Sequence, residues 1–541
     1  MKDKSSRKGS QKLLRGYWRS AALITGLTML QSLLQVALAV LMQFVIDAAL
    51  SANGQLITWG IALIADLILL ILIHGLLSWC SGSAIDRYTA SLRRELLVSA
   101  AHSKDAKLQS YHSGELLNRG MEDVGTVCDG AISAFPALIG QITSLIGAFA
   151  AVLMLYPAIA AVLIVAAAVV GGIVTWLRPV IKRRHKRVRE SDEHMMAQMQ
   201  EDLQQLELIQ SLQIQDQTIK RFDIRIKDSL VAKFNRRLWS VGSNAAVATV
   251  SNIGTGVLLL WGAVQVAAGA LSYGSLTSLL QLLSQFRTPV LGLSGLWSRL
   301  MAVEVAQERL AELLEPVEEV LPEQEISSVQ AVVFENVTFR YPGEETPVIS
   351  NFSARFSLDG WSCLTGISGK GKTTLFKLIL GLYSPQEGRI YLETDDGPVT
   401  CSEHTRCLFA YVPQDYALFS GTIEENMRLV APDASDEQIR RALKIAEADY
   451  VWTLSAGDQT QVRENNTGLS KGQIQRLAIA RAVLMERPIF LLDECTSALD
   501  AVTEAAVLQN LRLISDRAIL VTHRPEALEN LKGVVPVSME K

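Results

Sequence analysis

Three long stretches of the sequence consist mostly of apolar residues and contain neither lysine nor arginine. They run over residues 20–86, 120–177 and 238–286, which makes them 67, 58 and 49 residues long. A helix that crosses a membrane needs about 20 mostly apolar residues. Each stretch therefore has room for two spans and a short turn, and the pattern predicts three helical hairpins.

The six predicted spans have consistent flanking charges. The spans cover residues 20–47, 56–80, 132–155, 157–177, 242–268 and 275–298. The segments between the hairpins are rich in lysine and arginine, and seven basic residues precede Ser20. By the positive-inside rule, both chain ends and both long loops are cytoplasmic. The alternative, buried helices of a soluble protein, fits three charge-poor stretches with basic flanks poorly.

A change of pattern divides the chain into a membrane part and a soluble part. Both long loops have apolar residues at helical spacing, so the spans are expected to continue into the cytosol and to turn near residues 112–114 and 211–217. Beyond an acidic, proline-containing segment, strand and helix signals alternate. We predict an all-α transmembrane domain at 1–314, a linker at 315–330 and an α/β domain at 331–541.

Charge and cysteine content narrow the possible partners. The net charge is only −4, and the basic run at 182–189 follows a predicted span, so it is interpreted as a membrane anchor. No nucleic-acid partner is expected. The six cysteines form no C-x-x-C pair, which favours free thiols on a reducing side of the membrane.

One charged residue interrupts the apolar pattern of the second span. Asp66 lies in the middle of IALIADLILLILIH, eight residues before His74. A charged carboxylate at this depth costs about 2.5–3.5 kcal/mol on insertion scales, so Asp66 is expected to face the bundle interior. It either lines a substrate pathway that favours cationic cargo or makes a hydrogen bond between helices.

The segment LTGISGKGKTTLFKLILGL fits the pattern G-x-x-x-x-G-K-[ST]. A short apolar run precedes it and an amphipathic pattern follows it, which is the context of a phosphate-binding loop rather than a chance glycine-rich turn. In such a loop the backbone N–H groups surround the phosphates, the lysine reaches the β- and γ-phosphates, and the hydroxyl holds Mg²⁺. The residues predicted to bind ATP here are Gly366, Ser368, Gly369, Lys370, Gly371, Lys372, Thr373 and Thr374.

An apolar run further along ends in two carboxylates, in the segment RPIFLLDECTSALD. Charged groups at the end of a buried strand are costly unless they serve a cation or a reaction. Asp493 therefore fits a role in holding Mg²⁺ through water, and Glu494 is placed to polarise the water that attacks the γ-phosphate. The pair follows the phosphate-binding loop by about 120 residues, which strengthens this prediction.

The order of these motifs resembles that of ATP-binding cassette (ABC) transporters, and the whole chain resembles a half-size exporter of that family. The other matching segments are Tyr341, YVPQD, LSKGQ at 469–473, SALD at 497–500, and VTHR. Six spans with two long cytoplasmic loops also fit the family. The resemblance implies a multidomain fold in which a six-helix transmembrane domain precedes an α/β P-loop NTPase domain.

The resemblance implies further roles in the ATP site. Tyr341 would stack on adenine, Gln414 would sense Mg²⁺ and the attacking water, and His523 would contact the γ-phosphate. The expected catalytic residues are therefore Glu494, His523 and Gln414, and the expected Mg²⁺ residues are Thr373, Gln414 and Asp493.

LSKGQ resembles the family's signature sequence, which usually reads Leu-Ser-Gly-Gly-Gln. In the family it opens a helix whose N-terminus faces the γ-phosphate held by a partner chain, so a complete ATP site requires two chains. The resemblance places Ser470, Gly472 and Gln473 at the ATP and Asp500 at the dimer seam. Lys471 replaces a signature glycine, and it either projects into solvent, which we favour, or adds charge near the phosphates.

The resemblance implies an ATP-hydrolysing exporter that works by alternating access with Mg²⁺ as cofactor. We expect a homodimer or heterodimer in a lipid bilayer, in a bacterial inner membrane, with a peptide, lipid or amphipathic drug-like substrate. An importer on the same architecture and an ATP-gated sensor with little turnover are the alternatives. The segment before the first span is too short for an N-terminal peptidase domain, and few residues follow His523, so no C-terminal regulatory segment is expected.

Overall fold

The computed structural model describes residues 17–51, 55–102, 113–314, 326, 328–365, 371–414, 418–463, 468–522 and 533–539. These residues form two compact units, a helical unit and an α/β unit, with the division near residue 315. Most of the predicted linker at 315–330 lies outside the described residues, and its last two residues, 329 and 330, belong to the first strand of the second unit. Each unit is described by itself.

Long helices make up the first unit. They are α1 Trp18–Ser51, α2 Leu56–His102, α3 Ser113–Asn118, α4 Val124–Asp129, α5 Phe135–Leu155, α6 Pro157–Gln204, α7 Leu206–Ser211, α8 Gln215–Ala267 and α9 Tyr273–Ala311. Two π-helical turns, Arg119–Asp123 and Gly130–Ala134, join α3, α4 and α5 into one continuous rod. Pro157 begins α6, where its missing N–H costs nothing.

Each of the six predicted spans falls within or almost within a continuous helical segment of this unit. In the described part of the chain, four helical segments are long and apolar enough to cross a membrane: Trp18–Ser51, Leu56–Ala101, Leu116–Leu155 and Gln215–Ala267. The spans predicted at 157–177 and 275–298 lie within α6 and α9. These helices agree with an all-α membrane domain.

The spans continue well beyond the thickness of a bilayer, as the loop pattern predicts. Helix α8 has 53 residues, so it is about 80 Å long, against a hydrocarbon core of about 30 Å. The second loop turns between α7 and α8, where Gln213 has a φ of +57°. The turn predicted near 112–114 in the first loop falls at the edge of a segment, 103–112, that lies outside the described residues.

Small and polar residues bring α1, α5 and α9 together. A Cβ added to Gly140 would lie 2.4 Å from the Thr28 side chain, so α1 and α5 approach closely only because a glycine stands there. Ser32 Oγ donates to the Gly140 carbonyl at 3.0 Å, and Gln285 Nε2 donates to the Gln35 carbonyl at 2.6 Å. These bonds satisfy polar groups that lipid could not.

Asp66 lies among the buried residues, as expected from its sequence. Its side chain is 7% exposed, and its Oδ2 has no hydrogen-bond partner among the described residues. The hydrogen bond between helices that sequence reasoning offered as one explanation therefore does not involve this oxygen within the described chain.

In its described residues, the second unit contains three sheets and five α-helices. Its strands are β1 Val329–Phe339, β2 Ile349–Ser357, β3 Trp361–Thr365, β4 Glu387–Thr394, β5 Gly397–Thr400, β6 Phe409–Val412, β7 Gly421–Thr422, β8 Gln461–Val462, β9 Ile489–Asp493, β10 Ala518–Val521 and β11 Val535–Ser538. Its α-helices are α10 Lys372–Ile379, α11 Ile423–Arg428, α12 Asp436–Ile445, α13 Lys471–Leu484 and α14 Ala501–Ile514. Short 3₁₀ helices cover Glu403–Leu408, Asp449–Thr453 and Gly457–Gln459.

A parallel sheet in the order β11-β3-β10-β9-β6 forms the centre of this unit. Strands β9 and β10 are buried at every position, since both faces of the sheet are covered. An antiparallel sheet in the order β2-β1-β4-β5 and the β7-β8 pair complete the unit. Two apolar clusters lie on either side of the central sheet and hold the helices against it.

Candidate ATP site

The strand order of the parallel sheet collects the predicted chemistry at one edge. Strands β3, β10, β9 and β6 are neighbours and run in the same direction, so their carboxyl ends meet at one edge of the sheet. The segment 366–371 follows β3, the Asp493–Glu494 pair ends β9, and Gln414 follows β6. Ligands of open α/β sheets bind at this edge.

Part of the predicted set lies outside the described residues. These are Gly366, Ser368, Gly369 and Lys370 of the loop, and His523 after β10. Their predicted contacts with phosphate remain predictions. Strand β10 ends at Val521, two residues before His523, at the same edge as the other residues.

The described end of the loop has the features of a phosphate-binding turn. Gly371 has a φ of +90°, and a Cβ added there would lie 2.9 Å from Val348 Cγ1, so both backbone and space require glycine. Lys372 begins α10 and is 5% exposed. Burial lowers the pKa of Lys372, and the nearby carboxylates of Glu494 and Asp493 oppose that effect. A buried cation beside two acids and a helix N-terminus suits a phosphate.

A chain of polar contacts joins three of the predicted residues. Thr373 Oγ1 donates to Gln414 Oε1 at 3.4 Å, and Gln414 Nε2 donates to Glu494 Oε2 at 3.0 Å. This fixes the orientation of the Gln414 amide, because an ionised carboxylate can only accept a hydrogen bond and so the NH₂ group must face Glu494. Gln414 therefore connects the hydroxyl predicted to hold Mg²⁺ with the carboxylate predicted to activate water.

Asp493 is fully buried, and neither of its carboxylate oxygens has a hydrogen-bond partner among the described residues. Burial raises the pKa of Asp493 to about 6, and the nearby hydroxyls of Thr373 and Tyr411 and the charge of Lys372 oppose this rise. A buried carboxylate without donors is costly unless a cation compensates it. A hydroxyl, an amide oxygen and a carboxylate are hard oxygen ligands of the kind Mg²⁺ takes, so Thr373, Gln414 and Asp493 fit this ion.

Glu494 holds an unusual backbone conformation. Its φ is +48°, in the left-handed region that side chains rarely adopt. Its N–H donates to the Val521 carbonyl at 3.1 Å, which ties it to β10. Strain of this kind persists where the surroundings over-determine the conformation, and it concentrates at functional sites.

Tyr341 contacts α10 and lines an open cleft. Its hydroxyl is 3.0 Å from Thr374 Oγ1, and its ring makes edge-to-face contacts with Phe339 and Tyr383, at centroid distances of 5.1 and 5.3 Å. The cleft has a volume of about 440 Å³ and is lined by residues 339–345 with Tyr383. The cleft therefore holds an aromatic ring next to the phosphate-binding helix, and the stacking of Tyr341 on adenine stays a prediction.

The LSKGQ segment begins α13 with a capping box. Ser470 Oγ accepts from the Gln473 N–H at 3.3 Å, and Gln473 Oε1 accepts from the Ser470 N–H at 2.8 Å. A Cβ added to Gly472 would lie 3.0 Å from the Ala498 carbonyl oxygen, so this glycine allows the helix to approach that segment. Lys471 is the first residue of the helix and is exposed within this chain. Its position relative to the ATP of a second chain stays a prediction.

Asp500, which the resemblance places at the dimer seam, has a local role within the chain. It caps α14, with its Oδ1 accepting from the N–H groups of Val502 and Thr503 at 3.1 and 3.0 Å. Its place at a seam between two chains remains a prediction.

Sequence reasoning missed two buried polar contacts around the catalytic segment. The Gln475 amide contacts the backbone of Glu494 and Ala498, and Thr496 Oγ1 donates to the buried carboxylate of Glu504 at 2.6 Å. The available signal was a glutamine among the core-facing positions of this helix, since Ile474, Gln475 and Leu477 are all buried.

The fold and the site together define a P-loop nucleotide-binding domain in one chain with a helical membrane domain. Comparison with known families agrees: residues 21–290 match the ABC transporter transmembrane region and residues 349–497 match the ABC transporter domain. The chain belongs to the ABC transporter family, with one membrane region and one ATP-binding domain in the half-size arrangement.

Individual relatives show where this chain stands within the family. It is 30% identical over 434 residues to the fatty acid ABC transporter ATP-binding/permease protein of Mycobacterium bovis, covering 78% of this chain and 68% of the relative. It is 30% identical over 367 residues to the alpha-hemolysin translocation ATP-binding protein HlyB of Escherichia coli O157:H7, covering 66% of this chain and 52% of the relative. The chain thus spans about half the length of several curated relatives it matches.

A solved structure of a bacterial Atm1-family ABC exporter with ATP bound has the same fold. The TM-score is 0.80 at 21% sequence identity, and the match covers 98% of this chain and 95% of that chain. At this identity the likeness establishes the shared fold.

Proposed function

We propose that this chain is one half of a dimeric exporter that uses ATP hydrolysis to move its substrate across a membrane. The observation that carries the proposal is the contact chain Thr373–Gln414–Glu494 beside the buried Asp493 and Lys372. This arrangement holds the groups needed for metal binding, phosphate binding and water activation at one sheet edge. A gate or sensor that does not turn over ATP would not need Glu494 in a strained conformation.

Within the cassette, each side chain has a distinct task. Thr373, Gln414 and Asp493 would hold Mg²⁺, which neutralises phosphate charge when bound. Glu494 accepts a proton from the attacking water, and the Gln414 amide holds the carboxylate in place at 3.0 Å. Lys372 neutralises phosphate oxygens from a buried position.

In this proposal, a second chain is needed to complete the ATP site. The resemblance places the N-terminus of α13, with Ser470 and Gly472, against the ATP of the partner. The apolar surface of the helical unit supports a partner and a bilayer, since only 6% of the most apolar window of α8 is buried within the chain. Lipid or a second chain would cover such a surface. Export is proposed because the solved structure with this fold is described as an exporter. An importer could share the fold, so the vesicle experiment below decides the direction.

The substrate class proposed is a peptide, a lipid or an amphipathic drug-like molecule. The names of relatives agree with this range, since they describe alpha-hemolysin translocation, fatty acid transport and lactococcin transport/processing. Asp66 bears on the charge of the substrate. Because its carboxylate is buried and its Oδ2 has no partner among the described residues, we propose that it favours cationic cargo.

The test of this function is transport by the purified chain in lipid vesicles. We expect ATP-dependent uptake into inside-out vesicles and ATPase stimulation by cationic members of a panel of peptides, lipids and drugs. Asp66→Asn should reduce stimulation by cationic compounds while basal ATPase stays unchanged, and Asp86→Asn, an exposed position on the same helix, should change neither. ATP-dependent transport out of the inside-out vesicles, or no ATPase activity under any condition, would contradict the proposal.

The exposed position of Lys471 leads to a further prediction. Both Lys471→Gly and Lys471→Glu should hydrolyse ATP within about threefold of the parent, because a solvated side chain contributes little. A lysine that reached the γ-phosphate would instead contribute about 1.5–3 kcal/mol, and its replacement by a carboxylate would repel the nucleotide. Steady-state ATPase rates over a range of ATP concentrations distinguish the two. Loss of activity in the Lys471→Glu protein alone would place Lys471 in the ATP site.

A further inference from the structure

Gln475 lies in the first half of α13 and is fully buried. Its Nε2 donates to the carbonyl oxygen of Glu494 at 3.1 Å, and its Oε1 accepts from the N–H of Ala498 at 3.1 Å. Only one orientation of the amide satisfies both partners, because a carbonyl needs a donor and an N–H needs an acceptor. The side chain therefore bridges α13 to the segment 494–498.

Glu494, at the other end of this bridge, has a strained backbone conformation that its neighbours must stabilise. Glu494 has a φ of +48°, and its carbonyl also accepts from the Ser497 N–H at 3.2 Å. A small rotation of this strained backbone would swing the carboxylate away from Gln414, which lies 3.0 Å from it. The position of the reacting oxygen thus depends on the carbonyl that Gln475 holds.

The first turn of α13 approaches the same segment directly. A Cβ added to Gly472 would lie 3.0 Å from the Ala498 carbonyl oxygen and 3.3 Å from Leu499 Cδ2. The start of the helix and the segment 498–499 are therefore in contact, and Gln475 extends this contact to Glu494. A movement of α13 cannot leave the Glu494 backbone unaffected.

We propose that Gln475 is a positioning residue, which holds the Glu494 carboxylate in its water-activating geometry and makes that geometry depend on the position of α13. The inference rests on the proposed function, because it requires Glu494 to act on the water. It also gives the helix that begins with LSKGQ a direct route to the catalytic carboxylate of its own chain.

The experiment compares Gln475→Met and Gln475→Glu with the parent, as full-length protein in lipid. Met has similar length and no polar group, whereas Glu keeps an acceptor for Ala498 and loses the donor for Glu494. We expect kcat to fall about tenfold or more in both variants, because misplacing a reacting group by about 1 Å costs up to about 10²-fold. KM and the affinity for ATP should stay within about twofold, since the two hydrogen bonds described above go to the backbone of Glu494 and Ala498, neither of which is assigned to nucleotide binding.

A matched control distinguishes positioning from stability. Ile479→Val removes one methyl group from a buried apolar side chain of the same helix, which cannot form a hydrogen bond with segment 494–498. This variant should have a lower melting temperature and an unchanged kcat. Equal loss of kcat in Ile479→Val, or kcat within twofold of the parent in either Gln475 variant, would overturn the inference. The parent and Glu494→Gln are measured alongside: an inactive parent contradicts the proposed function itself, whereas an active parent with fully active Gln475 variants contradicts only this inference.

Discussion

Replacing Glu494 with glutamine should lower the ATPase rate by about 10²–10⁴-fold, the range that general-base catalysis contributes. Glutamine has the same size as glutamate and a neutral amide, so it cannot accept a proton from the attacking water. The strained backbone with a φ of +48° should tolerate the change, because both residues have the same branching. ATP binding should therefore survive while turnover is lost.

The measurement is ATP turnover beside equilibrium binding of ATP to the same protein in lipid. Because the binding residues remain, the dimer should accumulate with ATP bound, and unhydrolysed ATP retained by the protein after removal of free nucleotide should detect it. Glu486→Gln is a matched control: Glu486 also has a positive φ, of +50°, but it is exposed and lies in a turn after α13. That variant should keep the parent's rate. Near-normal turnover in Glu494→Gln would remove Glu494 as the base.

The sequence identified the parts of the site that follow from local patterns. Three segments have a sequence that is compatible with few local structures: the phosphate-binding loop, the apolar strand that ends in Asp493, and the signature segment. Their meeting at one edge also follows from chain order, because strands that alternate with helices form parallel sheets with a common carboxyl edge. The contact of Gln414 with Glu494 at 3.0 Å agrees with this expectation.

Other features depend on packing between distant segments, and no local pattern contains them. The left-handed conformation of Glu494 requires support from β10 and α13 at once, and the residues that provide it are 27 and 19 positions away in the chain. The same applies to the π-helical turns that make one rod of residues 113–155: each contains a glycine, Gly120 or Gly130, yet the helix continues through both. The burial of Gln475 is visible only after the helix faces are assigned.

Lys372→Ala should weaken ATP binding itself, in contrast to the loss of turnover expected for Glu494→Gln. The lysine is 5% exposed, so it offers its charge from a site where water screens it little. A charge-assisted contact of this kind contributes about 1.5–3 kcal/mol, which corresponds to about 10- to 150-fold in affinity. Its removal also leaves Asp493 and Glu494 without the cation beside them, and their negative charges would then repel the phosphates.

The measurement for Lys372→Ala is the dissociation constant for ATP with Mg²⁺ present, determined by direct binding rather than by turnover. Lys444→Ala removes the same charge from an exposed position in the last turn of α12, and it should leave the affinity unchanged. Raising the ionic strength should weaken ATP binding by the parent only slightly, because salt screens a buried charge pair less than an exposed one. ATP affinity in Lys372→Ala equal to that of the parent would mean that this loop does not bind the phosphates.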